Sequence, residues 1–600
     1  MPVDPMQAVN FIRTAEDVET FWRWLSAEPV IAVDTETSGF TQAGDLFKPD
    51  FRLRLIQFGS IDEAWVVDFQ RWRGLVEDVF RRFDGNWLMH NSAFDAKVLG
   101  LQGIKAPWHR IHDTMIMMRL AAPTEKAGLK EASVRHVSSA ASGAKKVLDD
   151  AFRKQGWDWG TVPLDFPPYL FYAALDPILT ARLFNTDVAR LGRESPVYPL
   201  EMQVRAVCTR MEQNGLRVNA DFCAEQANGL RARSSMIKAN ILDKYHVLVT
   251  SPSQLGHFFM SRSEAREWMT KSTSGGAPSV DKEILVVLAG IDGEVGEVAQ
   301  ATLDVRRDEK IAGSYHENFI SMRDGDDFVH AQIETIAART GRMSVREPGL
   351  QTLPKPSVES AYRVVREAVI PSDDDHVLIS CDFDQIELRT AAHLAFKLTG
   401  DRGLVEAFAE ADASGVDFFT TTARGVYHDD TITKKDKLRD RIKTLSYASL
   451  YGASIRKMAL AAGVPTTEMR DVRDGMVKRY PGFFSVMLEI AHEAKTNGGF
   501  VNTLYGRRLP ITEGKDYVAT NFKIQGTAAD VLKRALVTLA QAGLEEMMLL
   551  PVHDEVLFDV PRGDEDEIRH LVKLSMENPE FTVPLTADPS VGAASWAAAK

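Results

Sequence analysis

Six hundred residues, 44% hydrophobic and 26% charged, are too many for one core and too ordinary in composition for a disordered or fibrous chain. The net charge of −13, from 71 basic and 84 acidic side chains, decides nothing about partners, because a basic groove can sit on an acidic body. The apolar runs at 284–289 and 547–552 are far too short to span a membrane, and the opening MPVDPMQAVN lacks an export signal. Three cysteines, 15 and 158 residues apart, suit a reducing cytosol rather than a zinc or disulfide framework, so a cytoplasmic protein is expected.

To about residue 190 the pattern is mixed α/β, with strands predicted at 30–34 and 65–68 between helical and turn-rich stretches. Asp34 and Glu36 leave the end of the first strand. A helical stretch beginning at Asn91 carries Asp95, and a later one carries Tyr172 and Asp176, four apart and so on one helix face. An Asp-x-Glu pair alone is common in loops. Four acids with a tyrosine one turn away are the equipment for two-metal phosphodiester hydrolysis. Hard divalent cations take carboxylate oxygens, one metal acidifies the attacking water, the other supports the leaving oxygen, and the tyrosine hydroxyl orients the water. VDTET, HNSAFD and YAALDP resemble the three exonuclease motifs of the DEDD 3′–5′ proofreading nucleases, in the variant with tyrosine in the third. Gly128-Leu-Lys-Glu and Arg135-His are similar to that family between its second and third motifs. The resemblance implies a ribonuclease H-like fold, Asp34, Glu36, Asp95 and Asp176 as metal ligands, Tyr172 as the water-orienting residue, and a single-stranded 3′ end as substrate.

Ser195-Pro196 and Pro199 mark a boundary. From there to about 325 the apolar spacing is mainly helical, as in Val204, Val207, Cys208 and Met211, interrupted at 271–278 by a Gly/Ser/Thr-rich stretch that reads as a mobile loop. Strand-like segments follow at 328–336 and 377–382, then a long helical region, then a hairpin at 547–560. Asp382 follows the strand at 377–381, and His553-Asp554-Glu555 falls where a tight turn would expose its acids. Asp382 and Asp554 are 172 residues apart. To act together their strands must be neighbours in one sheet, with the residues between them forming a separate excursion. So placed, they could hold a pair of Mg²⁺ ions for in-line phosphoryl transfer.

Between them, residues 431–460 hold eight Lys and Arg against two Asp, a local excess of +6. Arg439, Lys443, Tyr447 and Tyr451 recur every fourth position. On a helix they share one broad face about 18 Å long, similar to an extended nucleoside triphosphate. Two cations there would meet phosphates, and two aromatics a base and sugar.

Together these residues resemble family A DNA polymerases: DFDQIELR is similar to motif A, RDRIKTLSYASLYG to motif B and VHDEV to motif C. Supporting matches are Thr340-Gly-Arg342-Met-Ser, Leu350-Gln351-Thr-Leu-Pro, Gly506-Arg-Arg-Leu, the segment from Asn521 to Asp530, and Ser595-Trp. The resemblance implies an α/β and α+β multidomain chain: a 3′–5′ exonuclease domain at 1–195, thumb and connecting helices at 196–325, palm at 326–399 and 516–600, and fingers at 400–515. It implies two Mg²⁺ per active site, with Mn²⁺ able to substitute, on Asp382 and Asp554, with Glu555 supporting that site as a further metal-site acid. Arg439 and Lys443 would contact the triphosphate, Lys443 also giving a proton to pyrophosphate. Tyr447, Tyr451, Glu387 and Gln385 would line the nucleotide, Glu387 as the block against a ribose 2′-hydroxyl. Arg342, Asn521, Gln525, His553 and Arg508 would line primer-template DNA.

Four positions depart from the pattern. Asp384 stands where serine is usual, adding a negative charge near the metals. Phe419 takes the place of a histidine near the triphosphate tail, Tyr517 that of an arginine, and Tyr447 that of a phenylalanine common in cellular members. Only 33 residues precede Asp34, too few for a 5′ nuclease, and the 200–325 region has the family's plain thumb length. Both features resemble a bacteriophage enzyme, monomeric and acting in the host cytoplasm; the sequence names no accessory replication protein. The rivals are an exonuclease whose polymerase half is inactive but grips DNA, and a non-catalytic DNA-binding protein.

Overall fold

Six strands, β1 (Val9–Phe11), β2 (Val30–Thr37), β3 (Leu53–Gly59), β4 (Ala64–Asp68), β5 (Asn86–Met89) and β6 (Ile111–Asp113), form the N-terminal sheet in the order β1-β4-β3-β2-β5-β6. The computed structural model describes residues 9–354, 360–577 and 580–599; the first eight residues, most of the stretch read for an export signal, lie outside them. β2 runs antiparallel to β3 and parallel to β5, so it is central, and its apolar Ile31, Ala32 and Val33 are fully buried. It extends three residues beyond the expected strand, because the pairing with β3 continues from Asp34↔Gln57 to Thr37↔Leu53. α1 (Ser92–Leu101) starts after Asn91 in a left-handed conformation (φ 68°), a turn held by Asp113, which accepts from the Ser92 N–H at 2.8 Å and hydroxyl at 2.7 Å. α2 (Leu129–His136) and α3 (Pro167–Phe184) follow. Pro167 and Pro168 open α3 where their missing N–H groups leave nothing unsatisfied. Gly59 on β3 lets α3 lie close: a Cβ there would sit 2.9 Å from Cβ of Pro177, next to Asp176.

α4 (Tyr198–Asn214) begins just after the expected boundary. Its Val204, Val207, Cys208 and Met211 enter the core of the later sheet, together with Ile379, Val556 and Leu536, so the helix packs on that sheet. A separate helical core lies further on, around Ile241, Leu255, Phe259, Leu285 and Val298. The 271–278 stretch forms a turn closed by the Thr273 N–H to Ala277 C=O bond at 2.8 Å. The strand expected over 328–336 is two short ones, Phe328–Val329 pairing with Leu216–Arg217 and Gln332–Glu334 pairing with Ser344–Arg346.

The palm sheet consists of β7 (His376–Phe383), β8 (Met548–Val552), β9 (Glu555–Pro561) and β10 (Ala587–Gly592), in the order β8-β9-β7-β10 and antiparallel throughout. α5 (Ile386–Thr399) leads away from β7; α6 (Lys437–Leu450) lies in the excursion, and α7 (Ala519–Leu539) returns to the sheet. The excursion has its own core, including Phe408, Phe418, Ile442, Leu445 and Phe483. Among the described residues no helix is long and apolar enough to cross a membrane.

α4 is tied by charge on both sides. Glu201 pairs with Arg507 and with Lys533 of α7; Arg507 pairs with Asp530 at 2.6 Å, and the Thr503 hydroxyl donates to Asp530 at 2.7 Å. All four charged groups are buried. At the other end, Glu212 pairs with Lys97 of α1 and accepts from the Ile333 N–H at 2.7 Å. Two buried cations balanced by two carboxylates are tolerable; one carboxylate fewer is not. Asp530→Ala should lower the stability of the polymerase region by about 3–5 kcal/mol, read as an earlier denaturant midpoint for its unfolding.

Candidate active sites

In the N-terminal domain, β2 and α3 bring Asp34, Glu36 and Asp176 together, with one carboxylate oxygen of each within 4.8 Å of the others. Three hard oxygen donors this close suit a divalent cation. Burial pushes the Asp34 carboxyl up to about 7, against the pull of Lys130. Glu36 is raised well above the usual range by burial and by Asp34. Both directions follow first from burial, which disfavours the charged form. Asp95, on α1, is outside the group of three; its Oδ1 accepts the Thr35 hydroxyl at 2.7 Å, and burial and Asp34 raise it as well. Tyr172 lies one turn before Asp176, its ring 5.6 Å from that of Trp159, its hydroxyl held protonated by burial and by Glu36 and Asp34.

Lys130, of the Gly128-Leu-Lys-Glu segment, lies on α2. Its ammonium pairs with Asp176 and lies 4.9 Å from the centroid of the Tyr172 ring. Burial pushes it down to about 8, while Asp34 and Glu36 pull it up.

The second site is a cleft of about 980 Å³ over the palm sheet. Asp382 pairs in register with Glu555, and the Phe383 N–H donates to the Asp554 carbonyl at 3.2 Å, so the β7 end and the β8–β9 turn adjoin. Asp382 and Asp554 both line the cleft, with Lys443, Tyr447, Tyr451, Glu387, Gln385, Arg342 and His553. His553 makes the tight turn in a left-handed conformation (φ 58°), its ring bonded to the Leu353 carbonyl at 3.0 Å. Lys443 and Tyr447 share the predicted face of α6, and Tyr451 caps its end. Glu387, in the first turn of α5, is held at both oxygens: Arg342 pairs with one, and the Tyr451 hydroxyl donates to the other at 2.9 Å.

The remaining candidates lie among other partners. Glu555 is not left open as a metal ligand. Its carboxylate accepts from Ser380 at 2.5 Å, from Trp596 Nε1 at 2.6 Å and from Arg366 at 3.2 Å, and Arg366 lies 3.8 Å from the Trp596 ring. Glu555 thus anchors the Asp382 strand, and the closing tryptophan acquires its reason; neither partner was legible as such. Arg439 does not line the cleft. Asp417 holds its guanidinium at 2.9 Å, and it lies 5.5 Å from the ring of Phe419, which also meets Tyr447 at 5.9 Å. The charge added by Asp384 is met by Arg389 at 2.9 Å, itself shared with Asp412 at 2.7 Å. Arg508 and Asn521 are also outside the cleft wall: Arg508 lies 3.5 Å from the Phe500 ring, and Asn521 is half-buried in the first turn of α7. Tyr517 is 59% exposed and abuts Gly452, which follows Tyr451.

Residues 9–186 match the family model for a 3′–5′ exonuclease, and residues 220–598 that for DNA polymerase family A. The chain is similar to the DNA polymerase of Mycobacterium phage D29, 30% identical over 98% of this chain and 96% of the relative, and to that of Mycobacterium phage L5 at the same identity and coverage. It is 31% identical to DNA polymerase I of Streptococcus pneumoniae over 71% of this chain, spanning about half (48%) of that longer relative. Its fold is that of the POL domain of Pol1 from M. smegmatis, solved with DNA primer-template and dNTP: TM-score 0.79 and 22% identity, covering 98% of this chain and 100% of that one. The chain belongs to DNA polymerase family A, with a 3′–5′ exonuclease domain in front of the polymerase.

Proposed function

We propose that this chain extends a DNA primer with dNTPs under the direction of a template strand and removes mismatched ends through its exonuclease domain, as a monomer in the cytoplasm of a phage-infected host. The observation that carries the reading is the single cleft in which Asp382 and Asp554, 172 residues apart, meet Lys443, Tyr447, Tyr451 and Glu387. Divalent cations, Mg²⁺ in this reading with Mn²⁺ able to replace it, would be held two per site by Asp382 and Asp554 and by Asp34, Glu36, Asp176 and Asp95, supplying Lewis acidity for phosphoryl transfer.

The chain's own residues do the rest. Lys443 Nζ meets the triphosphate and protonates the departing pyrophosphate, while Tyr447 and Tyr451 pack on the nucleotide and the templating position. Arg439 joins Lys443 at the phosphates by leaving Asp417. Arg342, Gln525 and His553 face the primer-template, with Asn521 and Arg508 contacting DNA beyond the cleft. Tyr172 orients the attacking water in the exonuclease site. Binding of the duplex through backbone charge should be indifferent to sequence and fall steeply with salt.

Primer extension with dNTPs and Mg²⁺, run beside excision of the same labelled primer, tests the reading. An exonuclease with an inactive polymerase half would only shorten the primer, and a non-catalytic binding protein would leave it unchanged.

The sugar gate is the sharpest local expectation. Arg342 and Tyr451 fix both oxygens of Glu387, so the carboxylate cannot swing aside for a 2′-hydroxyl without losing partners. Glu387→Ala should raise ribonucleotide use relative to deoxyribonucleotide use by about tenfold or more. An unchanged ratio of the two kcat/KM values removes Glu387 from that role.

A further inference from the structure

Lys130 enters the exonuclease site from α2, a helix that carries none of the expected metal ligands. Its ammonium touches both the carboxylate of Asp176 and the face of Tyr172. Asp34 and Glu36 also lie within its electrostatic reach. The lysine side chain is 21% exposed and that of Asp176 12%, so solvent screens the pair little. Nearby Arg54 is differently committed: its guanidinium donates to the carbonyls of Trp159 and Val162. Lys130 instead points its charge at the carboxylates.

We propose that Lys130 is a working residue of excision: it competes with divalent cations for Asp176 and, once displaced, remains over the acids as a mobile positive charge for the phosphodiester. Three carboxylates with oxygens within 4.8 Å repel one another, and an ammonium among them keeps them gathered. The same ammonium weakens cation binding, because an incoming cation must first replace its pair with Asp176. The four-carbon stem lets the charge swing without the backbone moving, and the Tyr172 ring face keeps it nearby. In-line displacement at phosphorus spreads negative charge over the non-bridging oxygens, where a positive group already at the site stabilises the transition state more than the ground state.

The two effects have opposite signs, which separates this role from a structural ion pair. Lys130→Met keeps the side-chain length and removes the charge; Lys130→Arg keeps the charge. Mn²⁺ binding to the full chain is measured by titration calorimetry, with an Asp34→Ala, Glu36→Ala chain identifying the exonuclease-site component. Single-turnover excision of a labelled single-stranded DNA is measured at saturating Mg²⁺. Lys130→Met should bind Mn²⁺ at the exonuclease site several-fold more tightly, yet excise about tenfold more slowly. Lys130→Arg should keep both values near wild type. A misfolded or merely loosened site would bind Mn²⁺ more weakly, so tighter binding cannot come from damage. Unchanged or weaker Mn²⁺ binding by Lys130→Met, or wild-type excision at saturating metal, overturns the proposal. The inference rests on the excision reading: a wild-type chain that excises nothing sinks that reading, whereas normal wild-type excision with an unaltered Lys130→Met variant sinks Lys130 alone.

Discussion

Asp554→Ala should abolish primer extension, by about a thousandfold or more, while leaving excision of a mismatched primer end in place. Asp34→Ala combined with Glu36→Ala should do the reverse. The two acid sets sit on different sheets with separate cores, so each can fail without the other. In the palm, Asp554 is held by the turn and Asp382 by its pairing with Glu555, which Ser380, Trp596 and Arg366 fix in turn. Removing the Asp554 carboxylate should therefore leave the sheet intact and take away one proposed metal ligand. Extension by Asp554→Ala at the wild-type rate would show that the metal assignment is wrong.

Tyr447→Phe should turn a chain that accepts dideoxynucleotides into one that rejects them. Tyr447 lies one turn after Lys443 on α6 and lines the cleft, its ring braced at 5.9 Å by Phe419. In the proposed nucleotide pose its hydroxyl lies near the 3′ position of the incoming sugar. A dideoxynucleotide leaves an unfilled polar place there, and the tyrosine hydroxyl can fill it with a hydrogen bond. Such a bond is worth about 1 kcal/mol or more in a closed site, and loss of the partner costs about 1–3 kcal/mol. At 1.4 kcal/mol per factor of ten, discrimination should rise by about ten- to a hundredfold in Tyr447→Phe, with ordinary dNTPs used almost as before. Competition between ddNTP and dNTP in one extension reaction measures it. Matching termination ratios in the two proteins would leave Tyr447 as a packing residue only.

The chemistry was most legible where it depended on short-range pattern. A β-branched run before Asp-Thr-Glu placed Asp34 and Glu36 at the end of a buried strand, since strand propensity and burial are local properties, although the strand itself runs on through Glu36. The four-residue spacing of Lys443 and Tyr447 put both on one helix face whatever the helix packed against. The hairpin around His553-Asp554 followed from two apolar runs with polar residues between them, and β7 and β9 are neighbours, with Asp382 on β7 and Asp554 in the turn that opens β9. Family A motifs in order then added the identity of the reaction to positions that pattern alone left open.

The sequence by itself therefore determined which acids, cations and aromatics the chain presents, and on which strands, turns and helix faces. Only the tertiary structure decided which of those charges are already spent on one another. The Glu555 carboxylate is held by Arg366 and Trp596, 189 and 41 residues away. Asp384 adds a charge that Arg389 meets, and Arg439 is engaged by Asp417. α4 shows apolar spacing that fits any helix bundle, yet Glu201 and Arg507, 306 residues apart, bind it to the palm. The reason is physical: periodicity fixes the face on which a side chain emerges, whereas the partner of a buried charge is set by which distant segments the fold brings within a few ångströms, and that distance is not written in local order.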